Sequence, residues 1–182
     1  MIFVALLRGI NVGGKNKVDM AVLKSVFEDA GMSKVTTYIN SGNVVFSSRA
    51  RSRTNLASGL EKAIAERFGF EVRVLVRNLE DMRTVVGALP PDWVNDRQTM
   101  RCDVMYLWDE VDGPDVLGDV IVKAGIDDVR QVPGALLWKV DRDKVTKSGM
   151  AKLIGTPLYK QMTIRNSTTA RKLLELMEAA AG

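Results

Sequence analysis

Apolar positions along this chain fall into short runs, spaced now by two and now by nearly four residues, with polar, glycine-rich stretches between them. Ile2–Leu7 is a continuous apolar run stopped by Arg8, which suits a central strand covered on at least one face. A glycine-rich loop runs from Arg8 to Val18. Asp19 then stands where a helix N-cap would, Leu23, Val26, Phe27 and Ala30 follow at helical spacing, and Gly31 is placed to end the helix in a left-handed cap. Residues 36–39 and 44–46 read as strands joined by Asn40-Ser41-Gly42-Asn43, a hairpin-turn sequence. The spacing next predicts a helix over residues 55–68 with Leu56, Leu60, Ala63, Ile64 and Phe68 on one face and Gly69 as its stop. Phe70, Val72, Val74 and Val76 alternate with Glu71, Arg73, Leu75 and Arg77, the pattern of a half-exposed edge strand with a charged outer face. This order, β-α-β-β-α-β, is that of a ferredoxin-like unit.

A short helix follows, capped by Asn78 with Asp81 at its third position and with Met82, Val85, Val86 and Leu89 inward. Pro90-Pro91 ends it, and the polar stretch to Met100 reads as a linker. The pattern then begins again. Cys102, Val104, Tyr106 and Trp108 alternate on one face of a strand, and Val116, Leu117, Val120, Ile121 and Ala124 predict a helix closed by Gly125. Residues 129–132 and 135–140 form a hairpin around Pro133-Gly134, a short helix is expected near residues 148–154, and Met162-Thr163-Ile164 supplies the closing strand. A last helix starts at Ser167 or Thr168 and buries Ala170, Leu173, Leu174 and Met177. The fold class expected is therefore α+β, a duplicated ferredoxin-like architecture of two β-α-β-β-α-β halves with antiparallel sheets. Residues 1–92 make the first half with its linking helix, and residues 93–182 the second half with the C-terminal helix. The repeat is one of element order, since the residues themselves do not align visibly.

Composition narrows what such a fold could do. With 46% hydrophobic and 26% charged residues, the 182-residue chain has the balance of an ordinary folded globule. No apolar run approaches the ~20 residues of a membrane-spanning helix. The apolar N-terminal run lacks a basic leader and a small-residue cleavage site, so it reads as a strand and not as a signal peptide. One cysteine excludes an intrachain disulfide and any two-cysteine metal motif, and a cytoplasmic location is expected. The absence of histidine excludes a Ser-His-Asp triad, a Cys-His dyad and imidazole-ligated zinc. No cofactor and no metal are expected, and an enzyme becomes the least favoured reading, though not an excluded one.

The net charge of +4 is unevenly spread. Arg8, Lys15, Lys17, Lys24, Lys34 and Arg49 face only Asp19, Glu28 and Asp29 in the first fifty residues, whereas the loop Trp108-Asp109-Glu110-Val111-Asp112-Gly113-Pro114-Asp115 is acidic. Topology adds a geometric argument. The first two strands of a β-α-β-β-α-β sheet run the same way, so loop 8–17 and hairpin 40–43 emerge at one end. Both are polar and glycine-rich, and the first brings three cations to a helix entrance, the makings of an anion pocket. Gly9, Gly13 and Gly14 match neither the Walker A pattern nor the dinucleotide fingerprint, and Asp19 already fills the helix cap. Cys102 reads as a core residue, and Trp93 and Trp138 read as packing anchors. Asp109, Glu110, Asp112 and Asp115 lack the spacing of a calcium loop, and Lys144 and Lys147 form no motif.

Leu6-Leu7-Arg8-Gly9-Ile10-Asn11-Val12-Gly13-Gly14, with Tyr38-Ile39-Asn40-Ser41-Gly42-Asn43-Val44, closely resembles the opening of the uncharacterised bacterial family known as domain of unknown function 1697. Thr163-Ile164-Arg165-Asn166-Ser167-Thr168-Thr169 resembles its closing Thr-x-Arg-Asn motif, with Ser167 where the family usually has an aromatic residue. The resemblance implies the duplicated ferredoxin-like fold and no known activity. It singles out Arg8, Asn11, Gly13, Gly14, Asn40, Ser41, Asn43, Arg165 and Asn166 as motif positions. Joined with Lys15 and Lys17 from the loop, these make the candidate ligand-binding set. Arg165 could equally brace the structure, and Asn or Ser in turns often bond only to nearby backbone.

Three function classes follow. The first is a binding module for an anionic partner, whether nucleic acid, nucleotide or phosphorylated metabolite. The second is a protein-interaction or structural role, and the third a small histidine-independent enzyme on a phosphorylated or carboxylated metabolite. The aromatic signature of RNA-recognition strands is missing, and no carboxylate falls within the two loops.

Overall fold

Eight strands form two antiparallel four-stranded sheets in the computed structural model, which describes residues 1–182. The chain divides into one unit of residues 1–82 with 173–182 and a second of residues 83–172. No helix is long and apolar enough to cross a membrane.

The first unit contains β1 (Ile2–Leu7), α1 (Met20–Asp29), β2 (Ser33–Tyr38), β3 (Asn43–Ser47), α2 (Arg53–Phe68) and β4 (Val74–Asn78), with sheet order β2-β3-β1-β4. Phe3, Ala5 and Leu7 of β1 pack with Val44, Phe46, Leu23, Phe27, Leu60 and Ile64 in one core. The Phe46 ring lies 5.7 Å from that of Phe3 and 5.5 Å from that of Phe27. Burial of each Phe, Leu, Ile or Val among them stabilises the fold by about 1.5–3 kcal/mol. The helix ends follow the local signals. Asp19 Oδ1 accepts from the Ala21 and Val22 amides, Ser52 caps α2, and Gly69 closes α2 in the left-handed region. Val4, Leu6, Val45 and Leu75, on the opposite face of the sheet, are equally buried.

β4 is an edge strand as the alternation predicts, but it begins at Val74, and Val74, Leu75, Val76 and Arg77 are all buried. The expected exposed face is absent because both faces of the sheet are covered, a state that alternation of residue types cannot reveal. Glu61 Oε1 of α2 accepts from the Val74 amide at 2.8 Å, so one donor on this strand is satisfied by a side chain. α3 (Leu79–Gly87) starts with a reciprocal cap in which Asn78 Oδ1 accepts from Asp81 N and Asp81 Oδ2 from Asn78 N.

The second unit contains β5 (Met100–Leu107), β6 (Asp127–Val132), β7 (Ala135–Asp141), α4 (Met150–Leu153), β8 (Met162–Asn166) and the start of α5 (Ser167–Ala181). Its sheet order, β6-β7-β5-β8, repeats that of the first. The helix expected over residues 116–125 does not form. Two 3-10 turns, Asp109–Val111 and Val116–Asp119, are followed by irregular chain. Gly118 and the β-branched run Val120-Ile121-Val122 are poor helix formers, and only Val116 of the predicted apolar face is buried. Asp127 holds this segment instead. Its carboxylate accepts from Lys123 N, Gly149 N, Trp138 Nε1 and Ser148 Oγ. Burial raises the Asp127 pKa, but these four donors outweigh it and keep the carboxyl below its ordinary range.

Register also shows the residue-level repeat that the sequence hides. Arg77 faces Val4 as Arg165 faces Val104, and Asn78 faces Phe3 as Asn166 faces Asp103. Leu7 N donates to Gly42 O at 2.8 Å, and Leu107 N to Gly134 O at 2.9 Å.

Candidate functional site

β1 and β2 both run antiparallel to β3, so the loop after β1 and the turn after β2 leave the sheet at one end. Asn11 joins them. With φ of 54°, its Nδ2 donates to Val18 O at 3.0 Å and to Asn40 O at 2.9 Å, while its Oδ1 accepts from Val18 N at 2.8 Å. The loop is tied again by Asn16 Nδ2 to Gly9 O and by Asn11 N to Asn16 O. Val12 and Lys15 form a bridge around Gly13-Gly14, whose positive φ values give a type I′ turn. The segment is thus a small closed hairpin of its own.

The turn is fixed as firmly. Asn43 is fully buried and donates from Nδ2 to Tyr38 O at 2.9 Å and to Ser41 Oγ at 3.0 Å. A Cβ on Gly42 would lie 2.7 Å from both Ile10 Cδ1 and Leu7 Cβ, so the turn backbone packs directly on the loop. Asn11 and Asn43 position this end of the sheet through bonds to its backbone, and Ser41, itself exposed, accepts from Asn43. Gly13, Gly14, Lys15, Lys17 and Asn40 are exposed, and Arg8 is half-buried with its amide bonded to Arg73 O. Neither Lys15 nor Lys17 has a carboxylate within ion-pair distance. Asp19 occupies the entrance of α1, so the helix end itself presents its first donors to a side chain and not to solvent.

The family described as Protein of unknown function (DUF1697) matches residues 1–138, which include this loop and turn. The chain belongs to the DUF1697 family. Among solved structures it is similar to the conserved bacterial protein SP0830 from Streptococcus pneumoniae, at 31% identity over 97% of this chain and 98% of that one, with a TM-score of 0.81. No curated protein matches.

The segment Thr163–Asn166, which lies outside the residues matched by the family, is in the second unit. Arg165 is 7% exposed, with Nη1 donating to Thr163 Oγ1 at 3.0 Å and to Ile164 O at 2.8 Å. Burial lowers its pKa to about 10. Asn166 Oδ1 accepts from Thr169 N at 2.8 Å and so caps α5. Ser167 is fully buried, where no side chain could offer a stacking surface. The shared Arg-Asn at 77–78 and 165–166, each closing an apolar strand before a helix, is the signal that sequence reading passed over.

Remaining candidates in the DUF1697 chain are structural. Cys102, Trp93 and Trp138 are buried, and burial raises the Cys102 pKa. Asp112 Oδ2 accepts from Gly134 N at 2.8 Å and holds the β6–β7 turn, and Lys144 pairs with Asp141 at 3.0 Å. Sequence reading also missed two exposed apolar side chains at the loop end, Val12 and Ile39. Ile39 adopts φ of 50°, a region that β-branched residues rarely enter.

Proposed function

We propose that this protein is a binding module for an anionic ligand, engaged by Lys15 and Lys17, with Arg8 and Asn40 beside them, at the loop end of the first sheet. One observation carries this reading: two exposed lysines without acidic partners stand on a loop locked by Asn11 and by its own type I′ turn. A fixed loop loses little conformational freedom on binding, so its cations act from a set position. A phosphate group, free or on a nucleotide or nucleic acid, suits such donors. Stacking of bases on the sheet is less well supported, because both faces carry buried side chains. A cytoplasmic location accompanies this reading, supported by the single buried cysteine.

The test is thermal stability of the full chain against nucleotides, sugar phosphates, short single-stranded RNA and inorganic phosphate. A ligand at ~100 times its Kd adds about 2.7 kcal/mol. The Lys15→Ala/Lys17→Ala protein should keep the melting temperature of the parent and lose the ligand-induced shift. An unfolded double variant, or an undiminished shift, refutes the assignment.

Val12 and Ile39 favour a second reading, a protein-interaction surface at the same end. Both side chains are exposed and Ile39 sits on a strained backbone, a combination that an apolar contact with a partner would use. Binding that survives high salt but fails in Val12→Ser would select this reading over the first.

A further inference from the structure

The two sheets share order and register, so each position in one has a counterpart in the other. Phe3, paired with Phe46 and Asn78, corresponds to Asp103, paired with Trp138 and Asn166. In the first unit Phe3 belongs to the core shared with α1 and α2. In the second, the equivalent of α1 is missing and the equivalent of α2 is the single turn of α4. A cleft of about 220 Å³ opens on that face, lined chiefly by Val140, Met150, Leu153, Ile154 and Ile164, and Arg101 is the one charged residue in its lining.

Arg101 is built into this apolar face. Its Nε lies 2.7 Å from Asp103 Oδ2, and the Asp103 side chain is 8% exposed against 38% for Arg101. Asp103 therefore orients the guanidinium through one edge, and the two terminal nitrogens make no hydrogen bond within the protein. A buried carboxylate where the sister sheet places a phenylalanine costs desolvation that its bond to the partly exposed Arg101 offsets only in part, so the pair contributes little stability. Its position beside an apolar cleft has a chemical use: the free N–H groups match a carboxylate, and the aliphatic wall matches a hydrocarbon body.

The geometry points to a second ligand site here, for a small amphipathic carboxylate whose apolar part fills the cleft and whose head bonds Arg101. The cleft is below the ~300–1,000 Å³ usual for drug-sized ligands, which limits the occupant to a short chain or a single ring.

Isothermal titration of the full chain with sodium octanoate and with 1-octanol tests this. Octanoate should bind saturably at one site, and octanol at least about tenfold more weakly for want of the charged head. Ile154→Glu places a carboxylate in the lining of the cleft at a residue that is 69% exposed, so folding is spared and octanoate affinity should fall about tenfold or more. Arg101→Gln should abolish the preference for octanoate over octanol. The Lys15→Ala/Lys17→Ala protein should bind octanoate as the parent does, which separates this site from the loop. Absence of saturable binding, equal affinity for the alcohol, or an unchanged Ile154→Glu protein overturns the proposal.

Discussion

Replacing Gly42 by alanine tests whether the turn and the loop form one rigid end. Two costs combine at this position. Its φ of 79° would force alanine into the left-handed region, at about 1–2 kcal/mol. The new Cβ would also stand 2.7 Å from Ile10 Cδ1 and from Leu7 Cβ, on residues that are 2% and 1% exposed and have no room to retreat. Overpacking of that kind costs about 1–3 kcal/mol more. Gly13 supplies the control. Its φ of 59° carries the same backbone penalty, but a Cβ there meets nothing within 4 Å. The difference between the two variants, about 1–3 kcal/mol, isolates the contact between turn and loop. Trp93, Trp108 and Trp138 all lie in the second unit, so tryptophan fluorescence follows that unit and far-UV circular dichroism is the readout for the first. At ~2–4 °C per kcal/mol for a chain of this length, Gly42→Ala should melt several degrees below Gly13→Ala. Equal melting temperatures would refute the packing of turn on loop, and with it the idea that the lysines stand on a fixed platform.

Gly149→Ala should be still more damaging, since its Cβ would fall 1.6 Å from Ile121 O and 2.7 Å from Ile121 C, both backbone atoms. A loss of about 4 kcal/mol or more is expected, read by tryptophan fluorescence in urea, with Gly118→Ala as a near-neutral control. Asp127 has a lowered folded pKa, so its stabilisation is complete above the unfolded value of ~3.9 and disappears as pH falls through the folded value. The parent should therefore lose stability more steeply below about pH 4 than Asp127→Asn, and parallel pH curves would disprove the link. Ile39→Gly removes a strained, half-exposed side chain, so a gain of about 1 kcal/mol in urea denaturation is expected. A loss of stability would show that Ile39 packs against something that compensates its backbone.

The parts of this fold that sequence made legible are those decided within a few residues. Asp19 and Gly69 bound their helices through bonds to neighbouring backbone, and the apolar run at Ile2–Leu7 forms the covered strand its pattern suits, whereas the Ser52 cap that starts α2 at Arg53, two residues before the spacing does, went unread. Elements decided by distant chain were not legible. Spacing at residues 116–125 admits a helix, but the competing bonds from Asp127 to Lys123 and Gly149 exist only once β6 is in place. The candidate site divides along the same line. That loop 8–17 and turn 40–43 share an end follows from strand direction alone, whereas the role of Asn11 depends on a carbonyl 29 residues away. Most informative is Asp103, which alternation along its own strand leaves unremarked. Only its counterpart, Phe3, shows that this side chain faces a core, and so exposes the ion pair with Arg101 as an anomaly that packing does not require. In a duplicated fold each half thus serves as the reference for the other, and departures from the shared register are where a ligand should be sought first.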